Sequence, residues 1–216
     1  MNNYNKNKLL LEETHNYKHE MEHDACGVGL IASTNGKKSR KVVEYGIEAL
    51  KAIWHRGAVD ADGKTGDGAG IHVEIPKDFF IEKIQVTGHD YDNSEICVGM
   101  IFLPRNDYSA QESCKTIVES ELTKNNFSIY GWRQVPVNPK VLGEKALQTM
   151  PEIIQVLFKS NDPNLLDKNL ERKIYETRKR IENKAFDASL NNFYICSISS
   201  KSIIYKGLYL AEALSD

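Results

Sequence analysis

A mixed α+β fold is predicted by the way two hydrophobic periods alternate along the chain. Val43, Ile47, Leu50 and Trp54, and again Leu166, Leu170, Ile174 and Ile181, recur at the spacing of an amphipathic helix. Between such stretches lie short apolar runs of strand length, Ile96 to Leu103 and Ile153 to Phe158 among them. The 216 residues, 41% hydrophobic and 27% charged, fit one soluble globular domain or part of a larger one. A chain of this size buries roughly 70% of its unfolded surface, so it needs no disulfide or metal staple.

Residues 1 to 25 are rich in Asn, Lys, Glu and His without an apolar period, so this leader is expected to pack weakly or be removed. His19-Glu20-Met21-Glu22-His23 fits H-E-x-x-H, and His15 extends its spacing. A zinc helix needs an anchoring apolar face, however, and Asn16, Tyr17, Lys18, Asp24 and Ala25 supply little of one. A solvated leader is the reading kept, with no metal site. Cys26 to Ser33 is predicted as a buried strand, with Asn35-Gly36 making the turn after it. Ser39 suits the cap of a helix over residues 40 to 54, whose stripe is a core face and whose end delivers His55-Arg56-Gly57.

The loop from Ala58 to Gly70 holds Asp60, Asp62, Gly63, Gly66, Asp67, Gly68 and Gly70. It lacks the lysine and the following helix of a phosphate-binding loop, and its acids miss the spacing of a calcium loop. A tight turn that lets backbone approach closely is the simpler reading. Ile71 to Ile75 then alternates as a strand stopped by Pro76. Further on, Ile96 to Leu103 reads as a strand, and Ala110, Cys114, Ile117, Val118 and Leu122 mark a helix. Phe127 to Val137 is extended, Ile153 to Phe158 a strand, and residues 164 to 184 a charged amphipathic helix. Phe193 to Ser199 and Ser202 to Tyr205 read as a hairpin about a Ser-rich turn.

Net charge −2 gives no basic footprint for nucleic acid or an anionic membrane. Cys26, Cys97, Cys114 and Cys196 are far apart and form no C-x-x-C pair, which points to a reduced setting. Leu9-Leu10-Leu11 is too short for a signal core, no later run approaches a membrane span, and the leader has no arginine. A cytoplasmic protein is expected. Cys97, Cys114 and Cys196 fall inside apolar patterns and read as core residues.

Cys26 leaves three readings open. A strand-edge cysteine is most often a small buried hydrophobe. A papain-like pairing would need a histidine, but His55 and His72 stand in no matching context. If the chain is cut after Ala25, Cys26 carries both a thiol and an α-amine whose reference pKa of about 7.7 to 8.0 suits a general base.

Asp24-Ala25-Cys26-Gly27-Val28-Gly29, His55-Arg56-Gly57-Ala58 and Thr65-Gly66-Asp67-Gly68-Ala69-Gly70-Ile71 together resemble the start of the large subunit of glutamate synthase. The likeness continues at Gly131-Trp132-Arg133-Gln134-Val135-Pro136-Val137, Leu142-Gly143-Glu144-Lys145-Ala146 and Tyr205-Lys206-Gly207, covering nearly everything from Glu22 onward. The first blocks are shared with class II glutamine amidotransferases generally. The resemblance implies a four-layer αββα sandwich of the N-terminal nucleophile hydrolase type, incomplete at its C-terminal end. It implies a removed leader over residues 1–25 and an amidotransferase portion over 26–216. Cys26 is then the nucleophile that hydrolyses glutamine through a thioester, and the ammonia is used to aminate 2-oxoglutarate reductively to glutamate. Arg56 would hold the Cys26 terminus and shape the substrate pocket, and the Gly57 N–H would stabilise the oxyanion.

For the full-length enzyme the resemblance implies FMN and an iron-sulfur cluster, with no cofactor in this portion. It also implies contacts to the remaining synthase domains and either a small NADPH-oxidising subunit or ferredoxin. Weak or absent activity is expected of this portion alone. The competing expectations are a non-catalytic or regulatory domain of the same fold, and an amidotransferase serving another pathway.

Overall fold

The structure, a computed structural model, describes residues 3–14, 27–53 and 58–215. Helix α1 spans Asn3–Thr14, with Leu9 and Leu10 exposed. Helix α2 spans Arg40–Ala52, and the Ser39 side chain accepts from the Lys41 N–H at its start, as expected of that residue. Its stripe is less buried than its period suggests: Val43, Ile47 and Leu50 are half-buried and α2 contributes no fully buried residue. Trp54 and His55 lie outside the described residues.

Strand β1 (Ala69–Glu74) ends where predicted, before Pro76, which begins helix α3 (Lys77–Val86). That helix was not foreseen, although Asp78 in its first turn and the buried Phe80 and Ile84 four apart are its signals. Strand β2 (Cys97–Leu103), helix α4 (Tyr108–Lys124) and strand β3 (Phe127–Gln134) follow the expected order. Asp107 caps α4 by accepting from the Ala110 N–H at 2.9 Å. A 3-10 turn at Pro139–Val141 and a short helix α5 (Glu144–Thr149) precede strand β4 (Glu152–Ser160). Helix α6 spans Asp167–Asp187. Leu166, expected on its apolar face, is instead the residue before it and is largely exposed. Strands β5 (Tyr194–Ser199) and β6 (Ser202–Gly207) and a 3-10 turn at Ala211–Ser215 complete the described chain.

The strands form two antiparallel sheets, one of order β3-β4-β2-β5 and one pairing β1 with β6. Alternation in β2 and β4 separates two cores. Cys97, Ile101, Ile154, Val156 and Phe158 face α4 and α6, packing on Val118, Leu122, Leu170, Ile174 and Ile181. Val98, Met100 and Leu157 face the other way, onto Phe80 and Ile84 of α3 and Ile203 of the small sheet. The result is a mixed α+β sandwich in which two sheets share one core and helices cover the far side of the larger sheet.

The predicted hairpin of β5 and β6 is not formed: β5 pairs with β2, and β6 pairs with β1. The reason lies in the turn. The Glu171 carboxylate of α6 accepts from Ser199 Oγ, Ser200 N–H and Ser200 Oγ, while the Lys201 carbonyl accepts from the Ile75 N–H. Fixed to α6 on one side and to the end of β1 on the other, the chain crosses between sheets there.

Helices α4 and α6 are also joined by polar contacts. The buried Glu121 carboxylate takes Lys184 and Lys124, and Arg180 donates to Asn125 Oδ1 at 2.8 Å. Lys184's hydrogen bond, opposed by burial, holds the Glu121 carboxyl below its ordinary value of 4.5. A depressed carboxyl stabilises the fold fully above that ordinary value and loses the contribution as pH falls through the folded one. Glu121→Gln is therefore expected to cost about 1 to 3 kcal/mol at neutral pH. Thermal unfolding should show the deficit shrinking below pH 4.5.

Candidate active site

Cys26, Arg56 and Gly57 lie outside the described residues, as do His15, His19, Glu20 and His23. The structure does describe what flanks the first three. Gly27 to Ser33, predicted as a buried strand, has no regular structure, and Val28 and Leu30 are 90% and 91% exposed. A strand persists only when its backbone groups are paired, and this run enters no ladder among the described residues. Gly27 and Gly29 bring no side chain to bury, and a Cβ at Gly29 would meet nothing within 4 Å. The segment instead borders a cleft of about 2230 Å³ lined by α2, the small sheet and Met100, Phe102, Val135 and Ile153. Pockets shaped to a small molecule run to roughly 300–1,000 Å³, so this space is not moulded to one such ligand. Selectivity has to come from the loops at its rim.

One of those loops begins at Ala58, next in sequence to Gly57. It closes on itself: the Asp67 N–H donates to the Ala58 carbonyl at 3.1 Å, the Asp60 N–H to the Thr65 carbonyl at 2.9 Å, and Val59 bridges Gly66. Inside it, Asp62 Oδ1 accepts from the Lys64 and Thr65 N–H groups at 2.9 and 2.7 Å. The Thr65 hydroxyl donates to Asp62 Oδ2 at 2.6 Å. That hydroxyl bond first, then the two N–H bonds, hold the Asp62 carboxyl well below the usual carboxylate range. Gly63 takes the tip at φ +68°, which a side chain would resist.

The start of α5 presses onto the same loop. Lys145 Nζ donates to Asp60 Oδ2 at 2.6 Å, which lowers the Asp60 carboxyl and raises the lysine. The Ala146 N–H donates to Thr65 Oγ1 at 3.4 Å. A Cβ on Gly143 would fall 2.2 Å from Asp62 Oδ2 and 2.3 Å from Thr65 Oγ1, so only glycine permits this approach. On its other side the loop backs onto the chain after β6, where a Cβ on Gly66 would sit 2.6 Å from the Tyr209 carbonyl oxygen. The glycines thus allow close backbone approach, as predicted, and the approaches described are to residues 205 to 210.

Three of the sequence blocks therefore meet in space. Ala69, Gly70 and Ile71 pair with Gly207, Lys206 and Tyr205, and Asp60 to Thr65 meets Gly143 to Ala146. The Gly131 to Val137 block is elsewhere: Arg133 lies over the Phe79 ring and donates to Gln155 Oε1 at 2.9 Å, inside the shared core. The roles of Asp60, Asp62, Thr65, Gly143 and Lys145 had no sequence signal beyond Asp62 standing three residues before Thr65, the spacing of a side-chain turn.

Cys97, Cys114 and Cys196 are buried and free, as their apolar surroundings predicted. Burial raises all three thiols, Cys114 to about 11. Among the described residues no three His, Cys, Asp or Glu side chains converge as a metal site would require. No described helix is long and apolar enough to cross a membrane.

Comparison with known proteins places this geometry in context. The model of the class II glutamine amidotransferases matches residues 26–216. The glutamate synthase [NADPH] large chain of Azospirillum brasilense is 53% identical over 209 residues, 97% of this chain and 14% of its own length. The ferredoxin-dependent glutamate synthase of Pyropia yezoensis is 40% identical over 200 residues, 90% of this chain and 13% of its own. Ferredoxin-dependent glutamate synthase 1, chloroplastic/mitochondrial, of Arabidopsis thaliana is 40% identical over 195 residues, 89% of this chain and 12% of its own. The chain thus spans 12% to 14% of the length of these relatives.

Proposed function

The chain belongs to the class II glutamine amidotransferases, and from that premise we propose that it is the glutamine-hydrolysing portion of a glutamate synthase. The observation that carries the reading is the match that begins at Cys26, together with 53% identity to a glutamate synthase large chain. The two facing antiparallel sheets with helices outside the larger one support a sandwich of the N-terminal nucleophile hydrolase type. Residues 1–25 are a leader whose removal frees the Cys26 amine.

In this mechanism the α-amine takes the thiol proton, and the sulfur attacks the side-chain amide carbon of glutamine. The tetrahedral oxyanion is stabilised by the Gly57 N–H, with Arg56 holding the Cys26 terminus. The α-ammonium returns its proton to the leaving nitrogen, and ammonia departs as the C–N bond breaks. Water, deprotonated by the same amine, then cleaves the thioester to glutamate and regenerates the thiol. The ammonia is passed on for reductive amination of 2-oxoglutarate.

FMN and the iron-sulfur cluster of such a synthase supply its electron transfer. The described residues do not fit a cluster, because Cys97, Cys114 and Cys196 sit on three different elements, buried and apart. Those groups belong to other domains of the longer polypeptide. The higher identity to the NADPH-type chain, 53% against 40%, favours a small NADPH-oxidising partner over ferredoxin. A nucleophilic thiol suits a reducing cytoplasm.

The test is covalent trapping in the full-length protein with a glutamine-mimicking electrophile, read by peptide mass. One adduct is expected at Cys26, suppressed by glutamine, on a polypeptide whose intact mass starts at that residue. Cys97, Cys114 and Cys196 should stay unmodified, being buried with raised thiols. An active protein that still begins at Met1 would overturn the role of the amine.

A further inference from the structure

Resting on that reading of Cys26, Arg56 and Gly57, we infer that the start of α5 positions the substrate-holding segment, with Lys145 and Gly143 acting through the Asp60–Thr65 loop. The segment 54–57 joins two described anchors, Ile53 at the end of α2 and Ala58 at the base of the loop. Consecutive Cα atoms are 3.8 Å apart, so a displacement of Ala58 is felt at Gly57 and Arg56 at once. Ala58 is fixed because its carbonyl takes the Asp67 N–H, and the hairpin so closed is held from both sides. On one side Tyr209 blocks Gly66. On the other, Lys145 reaches Asp60, the Ala146 N–H reaches Thr65, and Gly143 lies against Asp62 and Thr65 without room for a methyl group.

The Asp62 carboxylate is consumed by bonds inside the loop, which makes the loop a stiff unit rather than a soft connection. A stiff unit held at Asp60 and Thr65 transmits its position to its base. The Lys145–Asp60 pair is solvent-exposed on the lysine side, 73%, so its direct worth to stability is small. Its consequence is orientation. Positional errors of about an ångström in a substrate clamp cost up to a hundredfold in rate, far more than such a pair contributes to folding.

The experiment compares two labelling rates at Cys26 in the full-length protein, one with a glutamine-mimicking electrophile and one with iodoacetamide, which needs no pocket. Lys145→Met should slow the directed reaction about tenfold. The iodoacetamide rate should stay within about twofold and Tm within about 2 °C. Lys145→Arg, which keeps a donor to Asp60, should recover most of the directed rate, and Asp60→Asn should copy the loss without adding to it. Gly143→Ala should act in the same direction and more strongly. Unchanged directed labelling in Lys145→Met would overturn the inference, and so would parallel loss of both rates and of Tm, which marks a purely structural contact. A wild-type protein labelled by iodoacetamide but not by the glutamine mimic overturns the amidotransferase reading itself.

Discussion

Glutamine hydrolysis is expected to fall at least about a thousandfold when Cys26 is replaced by alanine in the full-length protein, with Tm unchanged. Without the sulfur no thioester can form, and direct attack by water must face the resonance-stabilised amide unaided. Removing the nucleophile from comparable acyl-transfer sites costs about a millionfold in kcat, and what survives is the share owed to binding and oxyanion contacts. Cys26→Ser should recover little, because a hydroxyl at its ordinary pKa is a far weaker nucleophile for an amine base to activate. The same mechanism fixes the pH profile. The amine must be unprotonated to accept the thiol proton, so kcat/KM should rise with pH and level off near about 7.7 to 8.0, the reference range of an α-amino group. Hydrolysis that persists in Cys26→Ala would move the chemistry to another residue. The buried Cys97, Cys114 and Cys196 could not take its place without unfolding.

What the sequence disclosed depended on how local the deciding interaction is. Helices α4 and α6 and strands β2 and β4 were legible because each carries enough apolar residues at one period to outweigh other conformations. The helix cap at Ser39 and the stop at Pro76 are equally local. The false hairpin shows the limit. Two adjacent strands joined by a short polar turn look identical whether they pair with each other or with distant partners. The choice is made by Glu171, some thirty residues upstream in sequence, gripping Ser199 and Ser200. Helix α3 went unread because ten residues with only Phe80 and Ile84 fully buried carry a weak stripe. Gly27 to Ser33 failed for the opposite reason: its composition suits a strand, but a strand exists only with a neighbour.

The candidate site divides in the same way. The blocks around Cys26, Arg56 and Thr65 to Ile71 carry chemistry that can be named from residue type. The contact of Lys145 with Asp60 spans 85 positions and joins two exposed-looking polar residues, so no period or spacing could reveal it. Gly143 looked like an ordinary helix-start residue, and only its missing Cβ, measured against Asp62 and Thr65, shows why nothing larger fits.

Phe158→Ala is the substitution expected to destabilise the fold most. Phe158 is completely buried in β4, facing α4 and α6, with its ring edge-on to Phe127 at a centroid distance of 5.3 Å. Truncation removes the transfer free energy of the ring and leaves a void that rigid strands on either side, β2 and β3, cannot collapse into. A loss of about 3 to 5 kcal/mol follows, a large fraction of the roughly 5 to 15 kcal/mol that holds a domain together. For a chain of this size that corresponds to a fall in Tm of roughly 6 to 20 °C. The natural control is Phe186→Ala. That phenylalanine is near the end of α6 and 79% exposed, so its removal should change stability by no more than about 0.5 kcal/mol. Similar Tm values for the two variants would mean that the sheet face assigned here to the α4–α6 core is not buried against those helices.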